Sequence, residues 1–192
     1  VCVTPDGKHV VTGSVDNTAR IWLLSDGKHV RTLEGHTRNV NSVCVTPDGK
    51  HVVTGSDDNT ARIWLLSDGS LVRTLEGHTR GVNSVCVTPD GNHVVTGSGD
   101  GTARIWLLSD GSLVRTLEGH TGSVFSVCVT PDGKHVVTGS SDNTARIWLL
   151  LDGSLVRTLE AHTESVSSVC VTPDGKHVVT GSGDVTARIW LM

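Results

Sequence analysis

A histidine, a serine, an aspartate and a tryptophan recur together along this 192-residue chain. The sets are His36, Ser56, Asp58 and Trp64; His78, Ser98, Asp100 and Trp106; His120, Ser140, Asp142 and Trp148; and His162, Ser182, Asp184 and Trp190. Serine, histidine and a carboxylate are the groups of a nucleophilic hydrolase, in which the imidazole takes the hydroxyl proton and the carboxylate orients the ring. The same groups can instead brace a fold, because a buried indole N–H and a buried imidazole each need a hydrogen-bond partner. Repeated copies of one nucleophile, none in a Gly-x-Ser-x-Gly elbow, favour the brace. Thr54 is an alternative to Ser56 as its hydroxyl member, since residues two apart on a strand share a face. A second series (His9, His51, His93, His135 and His177) opens short apolar runs. No second ligand recurs at coordinating spacing, so these are expected to be exposed strand-end histidines and no metal is expected. No cofactor is expected either.

These residues recur because everything around them does. Trp22, Trp64, Trp106, Trp148 and Trp190 are 42 residues apart, and residues 67–108 match residues 25–66 at 36 of 42 positions. A period in the forties marks a repeat architecture. Within one period, Val40–Thr46 is rich in β-formers and Pro47-Asp48-Gly49 turns it. His51–Ser56 and Thr60–Leu66 are two further strands, separated by Asp57-Asp58-Asn59, and Leu71–Leu75 is a fourth after Ser67-Asp68-Gly69. No stretch carries helical periodicity. Cys2, Cys44, Cys86, Cys128 and Cys170 also fall once per repeat, in Val-Cys-Val-Thr. Without CxxC spacing they are expected to be unpaired, small buried hydrophobes.

The Gly-His pairs at 35–36, 77–78 and 119–120, the Thr-Pro-Asp-Gly turns, Gly-Ser-x-Asp and Ile-Trp together resemble the WD40 repeat, across the whole chain. The resemblance implies an all-β fold, a β-propeller of four-stranded antiparallel blades in a partial or open array of about five. The blades are expected at 1–34, 35–76, 77–118, 119–160 and 161–192, the first lacking part of its inner strand and the last its outer strand. It also implies that His, Ser or Thr, Asp and Trp form a hydrogen-bonded tetrad. One departure stands in every repeat: the Trp-Asp dipeptide that names the family is Trp-Leu here. The chain opens inside a strand with Val1 and stops after a third strand at Met192, which reads as a segment of a longer protein.

Most differences between successive repeats fall in five of the 42 columns. They are Arg38/Arg80/Gly122/Glu164, Asn39/Gly81/Ser123/Ser165, Asn41/Asn83/Phe125/Ser167, Asp57/Gly99/Ser141/Gly183 and Asn59/Gly101/Asn143/Val185. By resemblance, the loops holding them open on one face of a propeller, while equally exposed Pro-Asp-Gly and Ser-Asp-Gly turns hardly vary. A varied face on a frozen scaffold is how a binding surface looks. Arg38, Asn39, Asn41, Asp57, Arg80, Asn83, Gly99, Phe125, Ser141, Glu164 and Val185 are therefore expected to touch a partner, with Phe125, the chain's one Phe, as an aromatic anchor.

The expected function is a non-catalytic scaffold that binds a protein or peptide. An enzyme using turn carboxylates such as Asp58 and Asp100, and a non-functional gene fragment, are the alternatives. Near-identical repeats also resemble the amplified WD40 arrays of NACHT or NB-ARC signalling proteins. Net charge is −4 with Lys and Arg spread evenly, so neither nucleic acid nor a membrane surface is an expected partner. The remainder of a parent chain, or another copy, is expected to complete the ring. No apolar run approaches the roughly 18 residues of a membrane span. Free thiols suit a reducing, cytoplasmic location.

Overall fold

A computed structural model describes residues 1–192. Nineteen antiparallel strands form five sheets, each built from consecutive strands. Blade 1 holds β1 (Cys2–Val3), β2 (His9–Gly13), β3 (Ala19–Leu23) and β4 (His29–Leu33). Blade 2 holds β5 (Val40–Val45), β6 (His51–Ser56), β7 (Ala61–Leu65) and β8 (Leu71–Leu75). Blade 3 holds β9 (Val82–Val87), β10 (His93–Ser98), β11 (Ala103–Leu107) and β12 (Leu113–Leu117). Blade 4 holds β13 (Val124–Val129), β14 (His135–Ser140), β15 (Thr144–Leu149) and β16 (Leu155–Glu160). Blade 5 has three strands, β17 (Val166–Val171), β18 (His177–Ser182) and β19 (Ala187–Leu191). First strands of successive blades adjoin, so they line the inside of the arc. This is an open propeller of five blades.

Local chemistry dictates each blade. In Thr46-Pro47-Asp48-Gly49 the Thr46 hydroxyl donates to Asp48 Oδ1 at 2.6 Å and accepts from the His51 amide at 3.0 Å, while Gly49 takes φ +70°. That combination reverses the chain and sets the register of β5 against β6. Between β7 and β8, Asp68 Oδ1 accepts from the Ser70 amide at 2.9 Å and hydroxyl at 2.7 Å.

The core lies between blades rather than within one. Val53, Ala61, Ile63 and Leu75 of blade 2 pack on Val82, Val85, Val94 and Trp106 of blade 3, and the equivalent residues repeat at each junction. Each fully buried aliphatic side chain contributes roughly 1.5–3 kcal/mol, so no blade is stable without its neighbour. Polar ties add direction: Ser42, Ser84 and Ser126 Oγ accept from the amides of Val85, Val127 and Val169 on the next blade, each at 3.1 Å. On the outer side Arg73 Nη2 donates to Ser109 O at 2.6 Å.

Blades approach so closely that β10 needs glycine. A Cβ on Gly97 would lie 2.8 Å from both Val124 Cγ1 and Val127 Cγ1, inside the next blade's core. Gly97→Ala is expected to destabilise by about 1–3 kcal/mol through overpacking. Denaturant titration measures it, and a midpoint equal to wild type would mean that the junction is looser than described.

Cysteines and strand-end histidines depart from expectation. Cys44, Cys86 and Cys128 are half-buried at the inner edges of the blade junctions, and Cys170 is exposed because no blade covers its side. Burial pushes the Cys128 thiol up to about 12. His51, expected to be exposed, is half-buried, and its main chain closes the turn with Thr46.

Candidate functional site

A directed chain of hydrogen bonds links four elements in blade 2. The Trp64 indole on β7 donates to Thr54 Oγ1 on β6 at 2.9 Å, and the Thr54 hydroxyl donates to His36 Nε2 at 2.7 Å. His36 Nδ1–H, in the loop before β5, donates to Asp58 Oδ2 at 2.7 Å. Asp58, in the turn after β6, also accepts from the Thr37 amide at 3.1 Å and, on Oδ1, from the Thr60 amide at 3.0 Å and hydroxyl at 2.6 Å. The same chain recurs through Trp106, Thr96, His78 and Asp100; Trp148, Thr138, His120 and Asp142; and Trp190, Thr180, His162 and Asp184.

The hydroxyl member is therefore threonine, which corrects the assignment to Ser56, Ser98, Ser140 and Ser182. Those serines share the strand face but lie about 6.6 Å nearer the turn, out of the indole's reach. Ser56 Oγ instead donates to Arg38 O at 3.0 Å and accepts from the Asp58 amide at 3.1 Å, fixing the turn to the preceding loop. Ser98 and Ser182 make the same pair of bonds, and Ser140 keeps the one from the Asp142 amide. Thr54 and Ser56 both have 0% exposure, so neither hydroxyl is presented to a substrate.

An arginine completes the assembly. The Arg62 guanidinium lies 6.0 Å from the Trp64 ring centroid, and Arg104 and Arg146 repeat this. Gly35 adopts φ +152° directly over that guanidinium, where any Cβ would collide with Arg62. Blade 5 carries Ala161 in this column, and there no arginine stacks on Trp190. The invariant Ala-Arg-Ile-Trp run was the signal for this residue.

The five variable columns split into kinds. Asn41, Asn83, Phe125 and Ser167 are each the extra residue of a β-bulge in a first strand, which re-aims the side chain out of the sheet. Asn41 and Asn83 then donate to Val82 O at 3.2 Å and Val124 O at 3.0 Å on the next blade, so these two amides hold blades together. Phe125 cannot make that bond and is 39% exposed. Asn59 (φ 72°), Gly101 (φ 85°) and Asn143 (φ 69°) occupy a left-handed turn position that suits asparagine and glycine. Val185 is held there too, at φ 65°, with 96% of its surface exposed. A β-branched residue in that conformation is strained.

The remaining columns line two connected polar grooves on one face. The first, about 490 Å³, lies among Asn17, Arg38, Asn39, Asp57, Asn59 and Arg80. The second, about 510 Å³, lies among Arg80, Gly99, Gly101, Gly122, Ser123 and Ser141. Columns also pack on each other: a Cβ on Gly122 would sit 2.9 Å from the Asp142 amide nitrogen and strike Ser141. Glu164 is exposed at the equivalent place in blade 5. No three His, Cys, Asp or Glu side chains converge to hold a metal ion.

The family model described as WD domain, G-beta repeat, matches residues 1–22, 27–64, 69–106, 111–148 and 153–190. The chain belongs to the WD40-repeat family. Among curated relatives it is 42% identical over 43 residues to the general transcriptional corepressor TUP1 of Saccharomyces cerevisiae, covering 22% of this chain and 6% of that protein. It is 47% identical over 38 residues to coatomer subunit beta'-1 of Arabidopsis thaliana, covering 20% of this chain and 4% of that one. It is 46% identical over 39 residues to F-box/WD repeat-containing protein 7 of Drosophila melanogaster, covering 20% and 3%. Each match is about one repeat long and spans a small part of the relative.

The WD40 network has a pH signature. Burial holds the His78 imidazole below its ordinary 6.5, and the bond to Asp100 only partly offsets this. Burial pushes the Asp100 carboxyl up, but hydrogen bonds from Thr102, His78 and the Thr79 amide outweigh it and bring it down from 3.8 to about 2. A histidine with a lowered folded value contributes stability above 6.5 that is lost as pH falls through its folded value. The aspartate adds a second loss between 3.8 and about 2. The denaturant midpoint is expected to stay flat in mild alkali and decline as pH drops below 6.5, less steeply in His78→Gln. A midpoint that rises through this range would mean a stabilising imidazolium, contrary to the neutral ring described.

Proposed function

We propose that this WD40 array is a non-catalytic scaffold that recognises a protein or peptide through the face carrying the loops before the first strands and the turns after the second. One observation carries the reading: variable residues gather around two connected grooves on that face, while invariant ones form the core and the indole–hydroxyl–imidazole–carboxylate chain. The contact set is narrower than the variable columns, because Asn41 and Asn83 serve the blade junctions. Asp58 and Asp100, the carboxylates an enzyme would use, already accept several hydrogen bonds each. Near-identity of the repeats further supports a sensor array within a NACHT or NB-ARC signalling protein, and free thiols support a cytoplasmic location.

Grafting the groove of blade 3 onto blade 4 tests the face. Arginine at 122 collides with Ser141, so the graft needs three changes: Gly122→Arg, Ser123→Gly and Ser141→Gly. Against peptides selected by display on the wild type, the graft is expected to shift affinity by about tenfold or more. Ser112→Lys with Leu113→His, a change the chain itself tolerates as Lys28-His29, is expected to leave it unchanged. Equal effects of both would remove the assignment of this face.

A further inference from the structure

The two grooves share Arg80 and so form one trough across the variable face. Its charge is uneven. Arg38 and Arg80 are exposed, and neither guanidinium lies within ion-pair distance of a carboxylate, whereas Arg20 is paired with Asp16 at 2.7 Å. The acidic group lining the first groove, Asp57, accepts the Asn41 amide at 2.6 Å. Two cations against one engaged carboxylate leave an excess of positive charge in the first groove, where it attracts an anionic ligand. The acidic group of the second groove, Asp100, is 7% exposed and already accepts from His78, the Thr79 amide and Thr102. The second groove is walled by Gly99, Gly101 and Gly122, so no side chain projects from its wall at these three positions. In blade 5 the arginine column becomes Glu164, so the polarity reverses along the arc.

We propose that this trough takes an extended acidic peptide segment, with side-chain carboxylates or phosphates on Arg38 and Arg80 and its main chain running past the glycine wall toward blade 4. Arginine suits this role because its planar fork can meet either anion with two parallel hydrogen bonds. Glu164 repels acidic residues from blade 5 and so sets where along the arc they sit. The inference rests on the reading of this face as the binding face.

Fluorescence anisotropy of a labelled glutamate–glycine repeat peptide, with a phosphoserine–glycine repeat as second arm, tests it on the full chain. A lysine–glycine repeat and a single-stranded oligonucleotide are the controls. Saturable binding of an acidic peptide is expected, weakening as salt rises and reduced about tenfold or more in Arg38→Glu/Arg80→Glu. Glu164→Arg is expected to tighten it several-fold. Circular dichroism and the denaturant midpoint show that the variants stay folded. Acidic peptides binding no better than the lysine control, or equally well in the double variant, overturn the proposal. Tighter binding of the oligonucleotide with the same arginine dependence also overturns it, in favour of nucleic acid. If acidic peptides fail while display-selected peptides still respond to the blade 4 graft, the acidic inference falls and the binding face stands. If neither responds, both fall.

Discussion

Trp106→Ala is expected to lose about 3–5 kcal/mol of stability, as are the equivalent changes at Trp64 and Trp148, which share its 2% exposure. The Trp106 indole sits in the cluster joining blades 2 and 3, so its removal leaves a cavity in both. It also removes the donor that begins the chain of bonds to Thr96, His78 and Asp100. Thr96→Val separates the two contributions. It keeps the shape but leaves the buried indole N–H and imidazole nitrogen unpaired, at a cost of about 2–4 kcal/mol. Chemical denaturation of the two variants beside Ser98→Ala measures the order. Equal midpoints for Thr96→Val and wild type would show that the hydroxyl is no brace, and would reopen a functional role for the histidine.

A comparably large effect is expected in the association of the polypeptide Val1–Met192 by itself. Ile21, Ile63, Ile105 and Ile147 are each at most 2% exposed, because each is covered by the next blade, while Ile189 in blade 5 is 73% exposed. At the opposite end Val1 and Val3 are 88% and 50% exposed, in the columns that elsewhere receive such an isoleucine. The two end faces are thus the halves of a contact made four times within the array. Unequal complementary faces join head to tail, and apolar surfaces of this kind seldom stay solvated. Light scattering across a dilution series is expected to give a mass above 20.3 kDa that falls on dilution, and Ile189→Lys is expected to suppress association. A compact, cooperatively folding monomer at every concentration would falsify the idea.

What the sequence determined by itself is what depends on neighbouring residues. The 42-residue period, the alternating valines of each first strand, the Thr-Pro-Asp-Gly turn and the Asp-Gly before each last strand specify four antiparallel strands per repeat. A hydroxyl beside an aspartate and a glycine at positive φ act within a few residues, so their meaning can be read locally. Contacts between distant residues were decided by tertiary structure. Thr54, not Ser56, meets the indole because the stagger of β6 against β7 places it there. Asn41 is a tie between blades rather than a free contact because a bulge turns its amide toward Val82, 41 residues away. The column of Asn59 and Val185 reflects a left-handed turn that shows only as dihedral angles. Gly122 packs so closely on Ser141 that a Cβ there would strike it, and Arg62 covers Trp64 because Gly35 lets it approach. These features depend on distances between strands and between blades and on backbone dihedral angles, and the spacing of residues along one chain contains none of them.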